Sequence, residues 1–233
     1  MGGKGGRHRY RRRENGMASL KLAVLISGRG TNLQALIDAC AAPDFPADIV
    51  TVISNQPDAQ GLERARAAGI RSEVIHHRKF ASRPDFEAAL DESIRAAGAN
   101  LVCLAGFMRL LTEEFAREWR DRLINMHPSL LPAFSGLNTH ARMIAAGVRF
   151  AGCTVHFVRV EMDSGPIIIQ AAVPVRHDDT PETLAERILA AEHRIYPMAV
   201  QLIAEGRVRV VNEVVNIDGA AAPEAVVYNP NTV

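Results

Sequence analysis

The sequence predicts an α/β protein: a single Rossmann-like domain with a mainly parallel sheet, helices on both faces, and antiparallel strands at its C-terminal end. Three observations carry this. Four units of a short apolar run followed by a helical pattern succeed one another from Lys21 to Trp119, the alternation that parallel crossover connections produce. One run, Leu101-Val102-Cys103-Leu104, is apolar without alternation, as a central strand covered on both faces is. After Ala151 the pattern changes to alternation around Asp163-Ser164-Gly165, which reads as a hairpin. No linker or internal repeat divides the 233 residues, and 48% hydrophobic content suffices for one core.

Residues 1–16 hold six basic side chains and one acid, with almost nothing to bury. They read as a disordered basic extension ahead of a domain over 17–219 and a loosely ordered tail over 220–233. The whole chain has 27 basic and 26 acidic residues, a formal charge of +1; without the extension the body keeps 21 and 25, a net of −4. That balance gives no support for a nucleic-acid partner. Cys40, Cys103 and Cys153 are odd in number and widely spaced in apolar surroundings, which fits a reduced, cytoplasmic protein. No apolar run approaches the roughly 18 residues of a membrane span, and neither a secretion signal nor an anchor is expected.

The first strand is expected over 21–27, turning through Gly28-Arg29-Gly30-Thr31-Asn32 into a helix over 33–40. Glycines there let the backbone approach an anion at a helix N-terminus, where free N–H groups and the helix dipole favour phosphate. Leu33 stands where a dinucleotide fingerprint has its third glycine, and the Lys-Ser/Thr of a P-loop is missing. The loop therefore suits one phosphate on a small ligand; the alternative is a plain strand-to-helix turn. A strand over 48–54 ends at Asn55, a helix over 58–68 is stopped by Gly69, and a third strand covers 71–76. His76 and His77 have no acidic or thiol partner nearby and are expected at the surface rather than on a metal. Arg83 precedes a helix over 84–97. The central strand over 100–105 ends in Gly106-Phe107-Met108-Arg109-Leu110-Leu111, either a hydrophobic loop under the next helix or an apolar wall for a flat ligand. Thr112 caps a short helix over 112–119.

The organising stretch follows. Arg122-Leu123-Ile124 reads as a short buried strand leading into Asn125-Met126-His127-Pro128-Ser129-Leu130-Leu131-Pro132. Side chains two apart on an extended chain share a face, so Asn125 and His127 project together, and the two prolines keep the following segment rigid and non-helical. The pair sits at a strand end, where α/β sheets bind ligands. An amide donor beside a group that can carry a proton near pH 7 suits a reaction that builds negative charge on a carbonyl oxygen and moves a proton, with acyl transfer as the first class to consider. A helix over 139–146 and an alternating strand over 151–161 come next, with Thr154, His156 and Val158 on one face. Asp163 alone reads as turn chemistry. The hairpin returns over 166–175. A long helix over 180–205 has Pro181 in its first turn and Pro197 expected to bend it, and a strand pair over 208–218 closes the domain.

Ser27-Gly28-Arg29-Gly30-Thr31-Asn32, then Gly106-Phe107-Met108-Arg109, then Asn125-x-His127-Pro-Ser-Leu-Leu-Pro with Asp163-Ser-Gly-Pro follow one another in an order that resembles the folate-dependent phosphoribosylglycinamide formyltransferases over residues 21–219. The loop and Asp motifs are common to the wider formyltransferase superfamily; the glycine loop, the short chain and Glu192 within Ala-Glu-His-Arg-Ile-Tyr-Pro narrow the match. The resemblance implies transfer of a formyl group from 10-formyltetrahydrofolate to the amino group of 5'-phosphoribosylglycinamide in purine biosynthesis. It implies small-molecule substrates without metal, nucleic acid or membrane, and a cytoplasmic monomer or homodimer.

By the same resemblance Gly30, Thr31 and Asn32 hold the ribonucleotide phosphate and Glu192 contacts the same substrate. Arg83, Met108, Arg109, Leu110, Leu111 and Asn125 line the folate site. Asn125 and His127 flank the formyl carbon and stabilise a tetrahedral intermediate, with Asp163 orienting and charging His127. Arg29 stands where related sequences often carry a smaller polar residue. The rival readings are another 10-formyltetrahydrofolate-dependent formyltransferase, such as the methionyl-tRNA enzyme with its additional C-terminal domain, and a formyltetrahydrofolate deformylase with an extra domain in front. A nucleotide-binding module would use the glycine loop alone and leave Asn125, His127 and Asp163 unexplained.

Overall fold

The computed structural model describes residues 19–230; the extension expected over 1–16 lies outside them. Their main sheet contains β1 (Leu20–Ile26), β2 (Ala47–Ser54), β3 (Ser72–Val74), β4 (Leu101–Leu104), β5 (Leu123–His127), β6 (Phe150–Phe157) and β7 (Ile167–Pro174), in the spatial order β3-β2-β1-β4-β5-β6-β7. The first five strands pair in parallel and the last two antiparallel. The helices are α1 (Thr31–Ala41), α2 (Gly61–Ala67), α3 (Arg83–Ala96), α4 (Glu113–Glu118), α5 (Thr139–Ala145) and α6 (Pro181–Ala204). A hairpin of β8 (Val208–Val211) and β9 (Val214–Ile217) forms a separate small sheet. The expected class is the observed one.

Alternation along β1 divides the core in two. Leu22, Val24 and Ile26 pack with Leu33 and Leu36 of α1 and with Leu184 and Ile188 of α6, whereas Ala23 and Leu25 pack with Phe86 and Leu90 of α3 and with Phe115 of α4. Both faces of the central strands are thereby covered, which is why they read as unbroken apolar runs. α6 begins in a Thr180–Thr183 capping box and continues through Pro197. Its Tyr196 phenol, fully buried, donates to the Leu104 carbonyl at 2.9 Å and pins the helix across the end of β4.

The strand order is what creates a site. From β1 the chain moves outward to β2 and β3, then returns to place β4 on the other side of β1. Connections leaving β1 and β4 therefore diverge, and a crevice opens at the C-terminal ends of these strands.

Four boundaries depart from the sequence pattern for tertiary reasons. α2 starts at Gly61 rather than 58, where the Gly61 N–H donates to the Gly28 carbonyl at 3.0 Å. β3 is confined to three residues at the edge of the sheet. β5 extends to His127, so Asn125 and His127 lie inside the strand, opposite His156 and Thr154 of β6. β6 stops at Phe157 instead of 161, because the Phe157 N–H turns to the Pro166 carbonyl at 2.9 Å and closes the loop that carries Asp163.

Candidate active site

The connections after β1 and β4 are joined at the crevice. The Ser27 N–H donates to the Gly106 carbonyl at 3.2 Å, and the Met108 N–H donates to Ser27 Oγ at 2.7 Å. A cavity of about 610 Å³ opens there, bounded by residues 28–32, Met108, Pro128, His140 and Glu192. The first helical bond of α1 runs from Gln34 N–H to the Gly30 carbonyl at 2.9 Å, and the N–H groups of a helix that precede its first internal bond have no intrahelical partner. These free N–H groups lie at the cavity. Gly30 has φ +69°, and a Cβ there would stand 2.6 Å from Gly61 Cα. Glycine is thus demanded by the approach of α2 as well as by the left-handed backbone.

Gly30, Thr31, Asn32 and Glu192 do meet at one cavity, but Asn32 uses its side chain internally. Its Nδ2–H donates to Glu192 Oε2 at 2.7 Å, and both residues are buried. Burial pushes the Glu192 carboxyl pKa up, with the Asn32 hydrogen bond acting in the opposite direction. Arg64, unnoticed in the sequence, reaches the loop from α2 and donates Nε–H to the Arg29 carbonyl at 2.9 Å.

Asn125, His127 and Asp163 come together at the ends of β5 and β6. His127 Nδ1 lies 3.4 Å from Asp163 Oδ2, and His127 Nε2–H donates to the Phe134 carbonyl at 3.0 Å. Asp163 Oδ2 also accepts the Gly136 N–H at 2.8 Å. Gly165 brings the loop this close, since a Cβ there would lie 1.7 Å from the Phe157 carbonyl oxygen. The proline-bounded segment is rigid for specific reasons. Thr154 Oγ1–H donates to the Ser129 carbonyl at 2.6 Å and accepts the Leu131 N–H at 3.1 Å, while Gln170 donates to the Leu131 carbonyl at 2.9 Å.

A fourth residue completes the cluster. His156 Nδ1–H donates to the Phe157 carbonyl at 2.9 Å, which leaves Nε2 of the neutral ring to accept from Asn125 Nδ2–H at 3.3 Å. Burial holds the His156 pKa below its ordinary value, against the opposing effects of that carbonyl and of Asp163, whose Oδ1 is 4.0 Å from Nε2. A histidine on the inward face of an alternating strand was the available signal. Its partner was not legible, because pairing Asn125 with His156 is a matter of register between β5 and β6.

The residues expected to line a folate site are divided. Arg83 and Arg109 line a second cavity of about 200 Å³ together with His77, Phe80 and Phe86. Met108 is exposed and borders the larger cavity, and Leu110 is exposed, whereas Leu111 packs against the core beneath α3 and α4. The segment therefore offers Met108 to the larger cavity and Arg109 to the smaller one, leaves Leu110 exposed, and packs Leu111 against the core. His77 corrects an expectation: instead of facing solvent it is half-buried, with Nδ1 3.1 Å from the Asn55 carbonyl and its ring edge-on to Phe86. Cys103 and Cys153 are free and buried, and burial pushes the Cys153 thiol up to about 12. Among the described residues no group of three or more His, Cys, Asp or Glu side chains is placed to hold a metal, and no helix is long and apolar enough to cross a membrane.

The doubly wound sheet thus carries a glycine loop and helix N-terminus at its switch point and an Asn-His-Asp cluster at the adjoining strand ends. The family model described as formyl transferase matches residues 20–200, and the chain belongs to that family. Within it, the chain is similar to phosphoribosylglycinamide formyltransferase of Haemophilus influenzae, at 42% identity over 88% of this chain and 97% of the relative. A crystal structure of glycinamide ribonucleotide transformylase 1 from Symbiobacterium toebii superposes with a TM-score of 0.84 at 50% identity, covering 85% of this chain and 94% of that one. The trifunctional purine biosynthetic protein adenosine-3 of Gallus gallus is 51% identical over 82% of this chain. The chain spans only 19% of that longer relative.

Proposed function

We propose that the chain transfers the formyl group of 10-formyltetrahydrofolate to the amino group of 5'-phosphoribosylglycinamide, a step of purine biosynthesis. The observation that carries this reading is the cluster of Asn125, His127, Asp163 and His156, with both histidines buried, and with Pro128, next to His127, bordering a cavity walled by the N-terminus of α1. That cavity suits a phosphorylated acceptor, with Gly30, Thr31 and Asn32 offering main-chain N–H groups and Glu192 a carboxyl. The two guanidinium groups of Arg83 and Arg109, in one cavity with Phe80 and Phe86, suit a flat co-substrate that carries carboxylates. Membership of the formyl transferase family supports a formyl-folate donor.

In the proposed reaction the acceptor amine attacks the formyl carbon and a C–N bond forms. The carbonyl oxygen takes up negative charge, which the Asn125 amide and the His127 imidazole N–H stabilise. The bond to folate N10 then breaks as a proton passes from the attacking nitrogen to N10, with His127 assisting and Asp163 holding the ring. For His127 to donate to substrate, its Nε2–H exchanges the Phe134 carbonyl for the developing oxyanion. The reaction needs no metal.

The same reading assigns the catalytic domain to residues 17–219, with small-molecule substrates, in a cytoplasmic monomer or homodimer. A chain beginning at Met17 keeps full activity on this view, since residues 1–16 contribute almost no apolar surface. The deciding experiment offers the purified protein 10-formyltetrahydrofolate with 5'-phosphoribosylglycinamide, with initiator tRNA, or with water as the only acceptor. Product from phosphoribosylglycinamide alone is expected; formyl-tRNA or free formate as the main product would replace this reading with one of its rivals.

A further inference from the structure

A hydrogen-bond chain that the proposed reaction does not use runs between the two cavities. Ser27 has one hydroxyl proton, donated to Asn55 Oδ1 at 2.6 Å, and its oxygen accepts the Met108 N–H at 2.7 Å. Asn55 is buried at 1% exposure, and its N–H donates to the Ile26 carbonyl at 3.3 Å. His77 is tied to the same residue through Nδ1, which accepts from Asn55 Nδ2–H at 3.3 Å in one tautomer and donates to the Asn55 carbonyl at 3.1 Å in the other. His77 lines the arginine cavity, Ser27 lines the glycine-loop cavity, and the consecutive residues Met108 and Arg109 border one cavity each.

Phe107 and Leu111 anchor the segment in the core, and the exposed stretch between them is held by Ser27. Met108 and Arg109 are exposed, Gly106 before them has φ +72°, and Ser27 contacts the segment twice, through its main-chain N–H and its hydroxyl. Ser27 is also continuous with residues 28–32. A ligand whose anion sits on that loop immobilises Ser27, and with it the backbone that carries Arg109. A second ligand in the arginine cavity then meets a wall whose ordering cost has already been met, which produces positive coupling without any contact between the ligands.

We propose that Ser27 and Asn55 are positioning residues that couple occupancy of the two cavities. The proposal rests on the assignment of the ribonucleotide and the folate to these cavities. Tetrahydrofolate lacks the formyl group, so with phosphoribosylglycinamide it forms a ternary complex that cannot react, and each ligand can be titrated into the full chain by calorimetry with and without the other. The readout is the ratio of the two Kd values for tetrahydrofolate. In the wild type it is expected to be about fivefold or more, the lower end of ordinary coupling between sites. Ser27→Ala should bring it close to one, and Ser27→Thr, which keeps the hydroxyl, should restore it; Asn55→Ala, a change away from both cavities, should also bring it close to one. Thermal melting of each variant separates loss of coupling from loss of fold. A wild-type ratio of one with both ligands bound, or an undiminished ratio in folded Ser27→Ala or Asn55→Ala, would overturn the coupling and leave the function standing. Failure of either ligand to bind the wild type would overturn both.

Discussion

Asp163 Oδ2 lies 3.4 Å from His127 Nδ1 and at the same time accepts the Gly136 N–H at 2.8 Å. One carboxylate oxygen therefore faces the proposed acid and holds the loop whose Phe134 carbonyl takes the other ring nitrogen. Charge and loop position are joined in a single residue, and substitutions at it can separate them.

Asp163 sits at φ +57°, a conformation that asparagine tolerates better than most residues. Asp163→Asn keeps the backbone and an acceptor for Gly136 but removes the charge. A fall in kcat on the order of tenfold to a thousandfold is expected, with KM for either substrate changed far less. Asp163→Ala loses the latch as well and adds about 1–2 kcal/mol of left-handed strain, so its Tm should also drop. Equal kcat for wild type and Asp163→Asn would return the residue to turn chemistry.

His156 is a test of tautomer control. His156→Leu leaves the half-buried Asn125 Nδ2–H without its acceptor and its amide unheld, and kcat should fall by roughly tenfold or more. His156→Gln can supply an amide oxygen in its place and should recover most of that loss. Steady-state kinetics on the pair decides the matter; equal activities would leave His156 as core filling.

The same histidine sets a pH dependence. Its pKa is depressed in the fold from the ordinary 6.5 by burial. A base with a lowered folded-state pKa contributes stability that is present above its unfolded pKa and lost as pH falls through the folded value. Denaturant unfolding should therefore show stability declining below about pH 6.5 more steeply in the wild type than in His156→Gln. Parallel profiles would mean that other groups carry the acid limb.

Glu192 has the opposite sign. Its carboxyl pKa is raised from 4.5 by burial, so its contribution to stability is fully present below 4.5 and is lost as pH rises through the folded value. Glu192→Gln retains an oxygen for Asn32 and does not titrate. Its stability relative to the wild type should therefore grow as pH rises from the acid range to neutrality, while phosphoribosylglycinamide binding weakens. Calorimetry and thermal melts over the same pH series check both halves, and a stability difference that does not vary with pH would count against the buried carboxyl.

Gly30 and Thr31 lie side by side yet should fail differently. Gly30→Ala forces a Cβ against Gly61 Cα in a left-handed backbone, and overpacking of this kind costs about 1–3 kcal/mol. Tm should fall and both ligands should bind less well. Thr31→Val removes only a hydroxyl at the mouth of the loop; phosphoribosylglycinamide binding should weaken with Tm and tetrahydrofolate binding nearly unchanged. A Gly30→Ala protein with unchanged Tm would show that the loop can yield without cost.

Period-two and helical patterning, glycines and prolines are local quantities, and they determined a good deal: the strand and helix alternation, the shared face of Asn125 and His127, the Gly28 to Asn32 turn into α1, and the hairpin around Asp163. Periodicity says which way a side chain faces but not which strand lies beside it. Only the tertiary structure placed β4 against β1, bringing Met108 to Ser27 across 81 residues of chain. Only the register of β5 on β6 set His156 opposite Asn125, and only the docking of α2 gave Gly30 its second constraint in Gly61. Boundaries moved at α2 and β6 for the same reason: each was fixed by a hydrogen bond to a distant carbonyl, Gly28 for one and Pro166 for the other. Such partners are selected by how the whole sheet and its covering helices pack, a condition that no short window of sequence contains.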